Sequence, residues 1–188
     1  IPCDLTDSTA VSDAVALAAE HFGRIDILVN NAAVYHPFAL ETGDDAIILN
    51  HVELNVLGVV WAIRAAIPHL RASKGQIISV SSESVTMPFP MLALYAATKA
   101  AVEVLSNGLR AELRADGIRV SVLRSGSVAG GEGGAAWSDE TRASFFAKIV
   151  ETGHAAMSGA AASPDSMAKA LLAILALPRD VSADLIEV

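Results

Sequence analysis

The chain has 188 residues, 53% hydrophobic and only 18% charged, with 13 Lys and Arg against 21 Asp and Glu for a formal charge of −8. An acidic balance without a basic cluster argues against nucleic acid as a partner, and the single cysteine, Cys3, leaves neither an internal disulfide nor a zinc set. No uninterrupted run of about 18 apolar residues offers itself to a membrane; length and cysteine usage fit one cytoplasmic domain spanning residues 1–188.

In chain order, Ile1-Pro2-Cys3-Asp4 reads as the end of a strand whose beginning is not in the sequence, so the domain is expected to be N-terminally incomplete. Val11, Val15, Ala18 and Phe22 follow helical spacing, with Asp7 or Ser8 as N-cap and Gly23 as stop. Ile25 to Asn30 is short and apolar, and reads as a strand buried on both faces. A long helix follows, carrying Val52, Val56, Val59, Ile63 and Ile67 on one stripe, with Pro68 near its end. Gln76 to Ser81 is a second strand. The helix opened by Tyr95 continues through Val102, Leu105, Leu109 and Leu113 to a stop at Gly117. Ile118 to Leu123 is a third strand, followed by a Gly-rich loop from Gly126 to Gly134. Helices around Glu140–Val150 and Pro164–Leu177 come next, then a short last strand from Asp184 to Val188. Apolar strands alternating with long helices predict an α/β fold: a Rossmann-like, doubly wound parallel sheet with helices on both faces, its N-terminal strands missing.

Such sheets bind ligands beyond the carboxyl ends of their strands. The exits are Asp4-Leu5-Thr6, Asn30-Asn31-Ala32-Ala33, Ser81-Ser82-Glu83-Ser84 and Ser125-Gly126-Ser127-Val128. Tyr95 and Lys99 lie one helical turn apart, on one face. A phenol ionises near pH 10, and an ammonium beside it lowers that value, so the pair makes an acid/base couple. The same spacing also decorates the surface of many helices; what sets it apart here is Ser82, 13 residues earlier at a strand exit. Asn55 shares the stripe of Val52 and Val59, which predicts a buried amide in need of partners, backbone included. Two readings stand for Asp4, ligand contact or a cap for the Val11 helix, and Asn30 is expected to brace the sheet. His21, His36, His51, His69 and His154 show no metal spacing and read as surface or loop residues, with His36 and His154 the candidates to line a pocket. Trp137, Phe145 and Phe146 suit either a pocket wall or ordinary packing.

Asp4-Leu5-Thr6, Asn30-Asn31-Ala32-Ala33, Asn55, Ser82, Tyr95-x-x-x-Lys99 and the Ser125-Gly126 turn, in this order and spacing, resemble the short-chain dehydrogenase/reductase family along essentially the whole chain. The resemblance implies an NAD- or NADP-dependent oxidoreductase that interconverts a secondary alcohol and a ketone. Tyr95 would be the general acid/base. Lys99 would lower its pKa and hold the nicotinamide ribose, Ser82 would hydrogen-bond the substrate oxygen, and Asn55 would hold a water in a proton relay to Lys99. Asp4 and Leu5 would contact adenine, the main chain of Asn31, Ala32 and Ala33 would run along the cofactor, and Val128 would offer backbone groups to the carboxamide. The helix from Glu140 and the loop before it would form a substrate lid. A homo-oligomer, dimer or tetramer, is implied, with a small carbonyl or alcohol substrate as the partner.

Three departures accompany the resemblance. The Gly-rich turn of the form Thr-Gly-x-x-x-Gly-x-Gly, which sets backbone donors against a pyrophosphate, is not in this sequence. Two readings follow: a portion of an ordinary enzyme, or a cofactor-free short form doing acid/base chemistry or serving as a partner subunit. Ser125 stands where the family has proline, which frees φ at that position, and Gly130 replaces a threonine that contacts cofactor. The nicotinamide end is therefore expected to be looser.

Overall fold

The computed structural model describes residues 1–130, 137–157 and 159–188. Four strands form one parallel sheet in the order β1-β2-β3-β4, with β1 Ile27–Asn30, β2 Gln76–Ser82, β3 Arg119–Ser125 and β4 Leu185–Glu187. The helices are α1 Ser8–Phe22, α2 Asp45–Val52, α3 Val59–Ser73, α4 Ala93–Leu113, α5 Asp139–Glu151, α6 His154–Met157 and α7 Pro164–Leu175. The expected α/β architecture is present, and the register sets Ser82 of β2 directly beside Ser125 of β3.

The two faces of the sheet carry separate cores. On one, Val59, Ile63, Ala66 and Leu70 of α3 and Val102 and Leu113 of α4 close over Ile77 and Val120. On the other, Ile78 and Leu123 receive Ile174, Met167 and Leu171 of α7. Alternate residues of β2 and β3 thus point to opposite cores, as the two-residue repeat of a strand requires. Because the strand order advances one way while α7 lies on the face opposite α3 and α4, the β3–β4 connection has the opposite hand to the two before it.

Local chemistry explains the boundaries. The Asp7 side chain accepts the Thr9 and Ala10 N–H groups at 2.8 and 3.2 Å and caps α1, whose far end turns at Gly23 with φ +75°. Asp4 is therefore not the helix cap. Its carboxylate accepts the Thr6 N–H and hydroxyl, both at 2.8 Å, in a tight turn. Residues 1–4 pair with no strand among the described residues. Strand β1 is shorter than expected and half covered, with Ile27 43% and Val29 37% exposed, because among the described residues it pairs with β2 alone. The loop expected from Gly126 to Gly134 extends past the described residues at 131, as does part of the expected lid.

The long second helix starts earlier than its apolar stripe suggests. α2 runs into a π-helical turn, Glu53–Gly58, and on into α3. Read as one helix, Asp45–Ser73 has a mean hydropathy of 1.7 over its most apolar window, long and apolar enough to cross a membrane by composition, although no uninterrupted apolar run marks it in the sequence. In the fold its Val59, Ile63, Ala66 and Leu70 stripe is buried against β2 and α4.

One glycine is fixed by close approach. A Cβ on Gly75, between α3 and β2, would lie 2.4 Å from the Asp26 carbonyl oxygen and 2.6 Å from Leu70 Cδ2. That carbonyl accepts the Gln76 N–H at 2.9 Å, so it cannot retreat without opening the start of the β1–β2 pair. Gly75→Ala is expected to lose about 2–3 kcal/mol, read as a lower urea midpoint at unchanged slope.

Candidate active site

The carboxyl edge of the sheet gathers the side chains expected there. β2 ends at Ser82, whose Oγ accepts the Ser84 N–H at 3.2 Å and starts a 3₁₀ turn, Glu83–Val85. An oxygen that accepts from the backbone keeps its own hydrogen to donate. Neighbouring Ser81 is buried and points to the other side, to Glu103, while the buried Ser84 hydroxyl has no partner among the described residues. Of the three serines, Ser82 is the one that faces Tyr95, as its position in the sequence suggested.

Tyr95 stands in the first turn of α4. Met91, in the left-handed region at φ +63°, bends the chain into that helix. Burial pushes the Tyr95 phenol above its ordinary pKa; the Ser82 hydroxyl pulls it down, and Tyr35 and the Glu83 carboxylate push it up again. Lys99 is 5% exposed, and its Nζ donates to the Val80 carbonyl at 2.9 Å while lying 5.8 Å from the centre of the Tyr95 ring. The ammonium is thus turned toward strand β2 and the ring face, not onto the phenol oxygen. Burial is the larger effect on Tyr95. The same burial lowers the pKa of Lys99 from 10.5 to about 8.

Asn55 lies in the π-helical turn and is 1% exposed. Its Oδ1 accepts the Val34 N–H at 2.8 Å; its Nδ2 donates to the Val34 carbonyl at 2.8 Å and to Thr98 Oγ1 at 3.1 Å. The Thr98 hydroxyl in turn donates to the Tyr95 carbonyl at 2.7 Å. One amide thereby ties the exit loop of β1 to the turn of helix that carries Tyr95. Both amide hydrogens are engaged by protein, which is the backbone-bracing alternative seen for this residue in the sequence.

Along the β1 edge, Cys3, Leu5, Leu28, Asn31, Ala32 and Val59 are among the residues lining a cleft of about 190 Å³. Gly58 admits the Leu5 main chain: a Cβ there would sit 3.0 Å from the Leu5 carbonyl oxygen. Asn30 Nδ2 donates to Ser79 Oγ at 3.2 Å and braces β1 against β2. Ala33 follows Ala32 in the same exposed exit, and Asp4 is exposed at its turn. Beyond β3, Val128 forms an isolated parallel bridge with Ala162: Ala162 N donates to the Ser127 carbonyl and Ala129 N to the Ala162 carbonyl, both at 2.8 Å. Those bonds use the neighbours of Val128, so its own N–H and C=O face the other way. Gly126 N donates to the Val188 carbonyl at 2.8 Å, so the described start of this loop is bonded to both Ala162 and Val188.

An aromatic wall covers Tyr95. Tyr35 packs on it at 5.6 Å between ring centres, Trp137 meets Tyr35 edge-on at 5.0 Å and donates from Nε1 to the Tyr35 carbonyl at 3.0 Å, and Phe145 of α5 meets Trp137 at 5.4 Å. Trp137 and Phe145 are thus wall residues, whereas Phe146 is 54% exposed. Sequence reasoning passed over Tyr35 and Glu83. Glu83 lines a hollow of about 300 Å³ with Gly126, Ser127, Ala162, Glu187 and Val188, and burial and then Glu187 push its carboxyl pKa up. Its place directly after Ser82 was the available signal.

The histidines divide. His51, expected at the surface, is 1% exposed: its Nδ1 pairs with the Ile47 carbonyl at 2.8 Å and its Nε2 with the His36 N–H at 3.1 Å. The neutral ring protonated at Nδ1 satisfies both contacts. The loop that carries Tyr35 is therefore held by a buried side chain of α2. Burial, then His51, lowers the pKa of His36. His154 packs on Phe89 and pairs with the Pro88 carbonyl at 3.2 Å, in the loop between Ser82 and Tyr95.

Comparison with known proteins bears on the family and the fold. The model of the family described as short chain dehydrogenase matches residues 1–141. An uncharacterized oxidoreductase of Schizosaccharomyces pombe is 38% identical over 129 residues, covering 67% of this chain and 54% of that protein. A trans-4-hydroxycyclohexanecarboxylate dehydrogenase of Sinomonas cyclohexanicum is 34% identical over 125 residues, covering 66% and 48%. The chain thus spans about half the length of these curated relatives. Among solved structures, a 3-ketoacyl-(acyl-carrier-protein) reductase from Brucella melitensis complexed with NADH superposes with a TM-score of 0.82 at 28% identity, over 100% of this chain and 75% of that one.

The buried lysine makes stability depend on pH in a stated sense. Lys99 ionises near 8 in the folded chain and near 10.5 when unfolded. Between these values the unfolded chain holds more protons, so stability climbs with pH; below about 8 both states are protonated and the burial penalty is constant. The difference corresponds to a penalty on the order of 3 kcal/mol at neutral pH, partly offset by the bond to Val80, worth about 1 kcal/mol. Lys99→Met is therefore expected to be more stable than wild type by about 1–2 kcal/mol at pH 7, with the advantage gone above pH 10.5. Urea unfolding at the two pH values measures it.

Proposed function

The chain belongs to the short-chain dehydrogenase family, and from that premise we propose that it serves NAD- or NADP-dependent hydride transfer between a secondary alcohol and a ketone, with Tyr95 as the general acid/base. The observation that carries this reading is the convergence of Ser82, Tyr95 and Lys99 at adjoining strand and helix ends, beneath an aromatic wall that limits the access of water.

The residues present fit part of a dinucleotide site along the carboxyl edge, without the Gly-rich turn that would face the pyrophosphate. Leu5, Asn31 and Ala32 border the cleft beside β1, Asp4 and Ala33 are exposed next to them in the chain, and the main-chain groups of Val128 face away from its bridge. Asp4 and Leu5 would meet the adenine, Asn31 to Ala33 the length of the molecule, and Val128 the carboxamide. Bound NAD or NADP would supply the hydride donor or acceptor. The NADH bound in the Brucella melitensis reductase supports the same cofactor class here.

The chain's own residues handle the proton. Ser82 Oγ, held by the Ser84 N–H, donates to the substrate oxygen and orients it toward the phenol. Tyr95 gives its proton to that oxygen in reduction and takes it back in oxidation. A phenol held above its ordinary pKa stays protonated at neutral pH, as the acid role in carbonyl reduction requires. Lys99 lies between the phenol ring and β2, where a ribose hydroxyl can draw its ammonium off the Val80 carbonyl. Since Val34 and Thr98 take both hydrogens of the Asn55 amide, a relay water passing to Lys99 meets the main chain of Asn55 and not its side chain.

In the full-length protein, Tyr95→Phe is expected to lower kcat for a panel of cyclic and linear ketones with NADH or NADPH by 10²-fold or more, with the fold unchanged by circular dichroism. Alcohol oxidation by the wild type should rise with pH well beyond neutrality, following ionisation of a phenol whose pKa lies above its ordinary value, while ketone reduction stays level near pH 7. Ketone reduction that survives in Tyr95→Phe overturns the assignment.

A further inference from the structure

The catalytic helix carries a second buried charge that the proton chemistry does not use. Glu103 lies one turn after Lys99 on α4 and is 8% exposed. Its Oε1 accepts the Ser81 hydroxyl at 2.7 Å and Arg124 Nε at 2.9 Å, and its Oε2 accepts Arg124 Nη2 at 2.7 Å. Arg124 in turn reaches Glu187 of β4 through Nη1 at 2.9 Å. Burial alone would push the Glu103 carboxyl up; the hydrogen bonds from Arg124 and Ser81 outweigh it and hold the group ionised.

The places of these partners give the network its meaning. Ser81 precedes Ser82 on β2, and Arg124 precedes the Ser125-Gly126 exit on β3. The Ser81 hydroxyl also lies 3.5 Å from the Lys99 carbonyl. Apolar packing between α4 and the sheet is non-directional and tolerates sliding along the helix axis. A two-pronged guanidinium–carboxylate pair with a third hydrogen bond from the adjoining strand is directional. Both strand exits and the helix are therefore referred to one carboxylate.

We infer that Glu103 is a positioning residue for hydride transfer: with Ser81 and Arg124 it fixes the axial setting of α4 against β2 and β3, and hence the placing of the Tyr95 phenol against Ser82. The inference rests on the role proposed for Tyr95. It predicts that loss of the carboxylate lowers turnover more than binding, because a displacement of about 1 Å in a reacting group reduces rate by up to about 10²-fold.

Two variants of the full-length protein test it. Glu103→Gln keeps the shape and the Ser81 contact but loses half of the guanidinium fork; kcat is expected to fall about 10- to 100-fold, with KM for ketone and cofactor within about threefold. The double variant Glu103→Met, Arg124→Met replaces the buried pair by apolar groups, an exchange that often preserves stability. Its melting temperature is expected to stay near that of the wild type while kcat remains low. Normal kcat in folded Glu103→Gln, or recovery of kcat along with stability in the double variant, overturns the inference. A separate readout distinguishes its failure from that of the proposed activity. If the wild type transfers no hydride, the Tyr95 phenol is titrated by NMR with ring-labelled tyrosine. Its midpoint should move up in both variants as the Ser82 contact weakens, and an unmoved midpoint overturns the inference.

Discussion

A helix that buries polar side chains must supply each of them with a partner, and α4 does so throughout its inner face. Thr98, Lys99, Glu103 and Ser106 are all buried, and their side-chain donors and acceptors meet the Tyr95 carbonyl, the Val80 carbonyl, Ser81 with Arg124, and the Val102 carbonyl in turn. An unpaired group at any of these places would cost about 1–3 kcal/mol, and more for a charge. The requirement selects one placement of α4 on the sheet where greasy packing would accept several. The carboxyl edge acquires its chemistry because that placement brings Tyr95 to the end of β2.

The same logic explains the opposite wall. The β1 exit loop would be a length of exposed backbone but for Asn55 and His51, two buried side chains on the helix behind it that engage the main chain of Val34 and His36. Between these anchors lies Tyr35, packed on the ring of Tyr95 and bonded through its carbonyl to Trp137. The aromatic wall is thus held by backbone contacts at both ends, and small changes in the loop are transmitted to the surroundings of the phenol as changes in desolvation.

The sheet, the helix order and the nearness of Ser82 to Tyr95 and Lys99 were legible in the sequence because each leaves a local mark. Short apolar strands stop at polar exits, and Tyr95 and Lys99 share a helical face 13 residues beyond Ser82. What escaped depends on partners far along the chain. Spacing gave no hint that Lys99 reaches for the Val80 carbonyl, since that oxygen is exposed to it only by the end of a strand 19 residues earlier. Glu103 and Arg124 sit among apolar residues, one on a helix and one on a strand, and only folding pairs them. His51 looked like a surface residue because helix α2 shows no clear stripe to place it. The half-covered state of β1 was hidden for the converse reason: its sequence is that of a buried strand, and what neighbours it decides its exposure.

The opposite hand of the β3–β4 connection bears on how the molecule opens. β1, β2 and β3 are joined by crossovers whose helices share one core. β4 contributes three residues at the end of the longest of the three connections, and α7 packs on the opposite face of β2 and β3. Subglobal opening is thereby expected at α7 and β4, with their amide hydrogens exchanging ahead of those in β2. The Arg124–Glu187 pair spans the boundary between the two units, so the edge that breathes first adjoins the strand end that leads to Ser125 and Gly126.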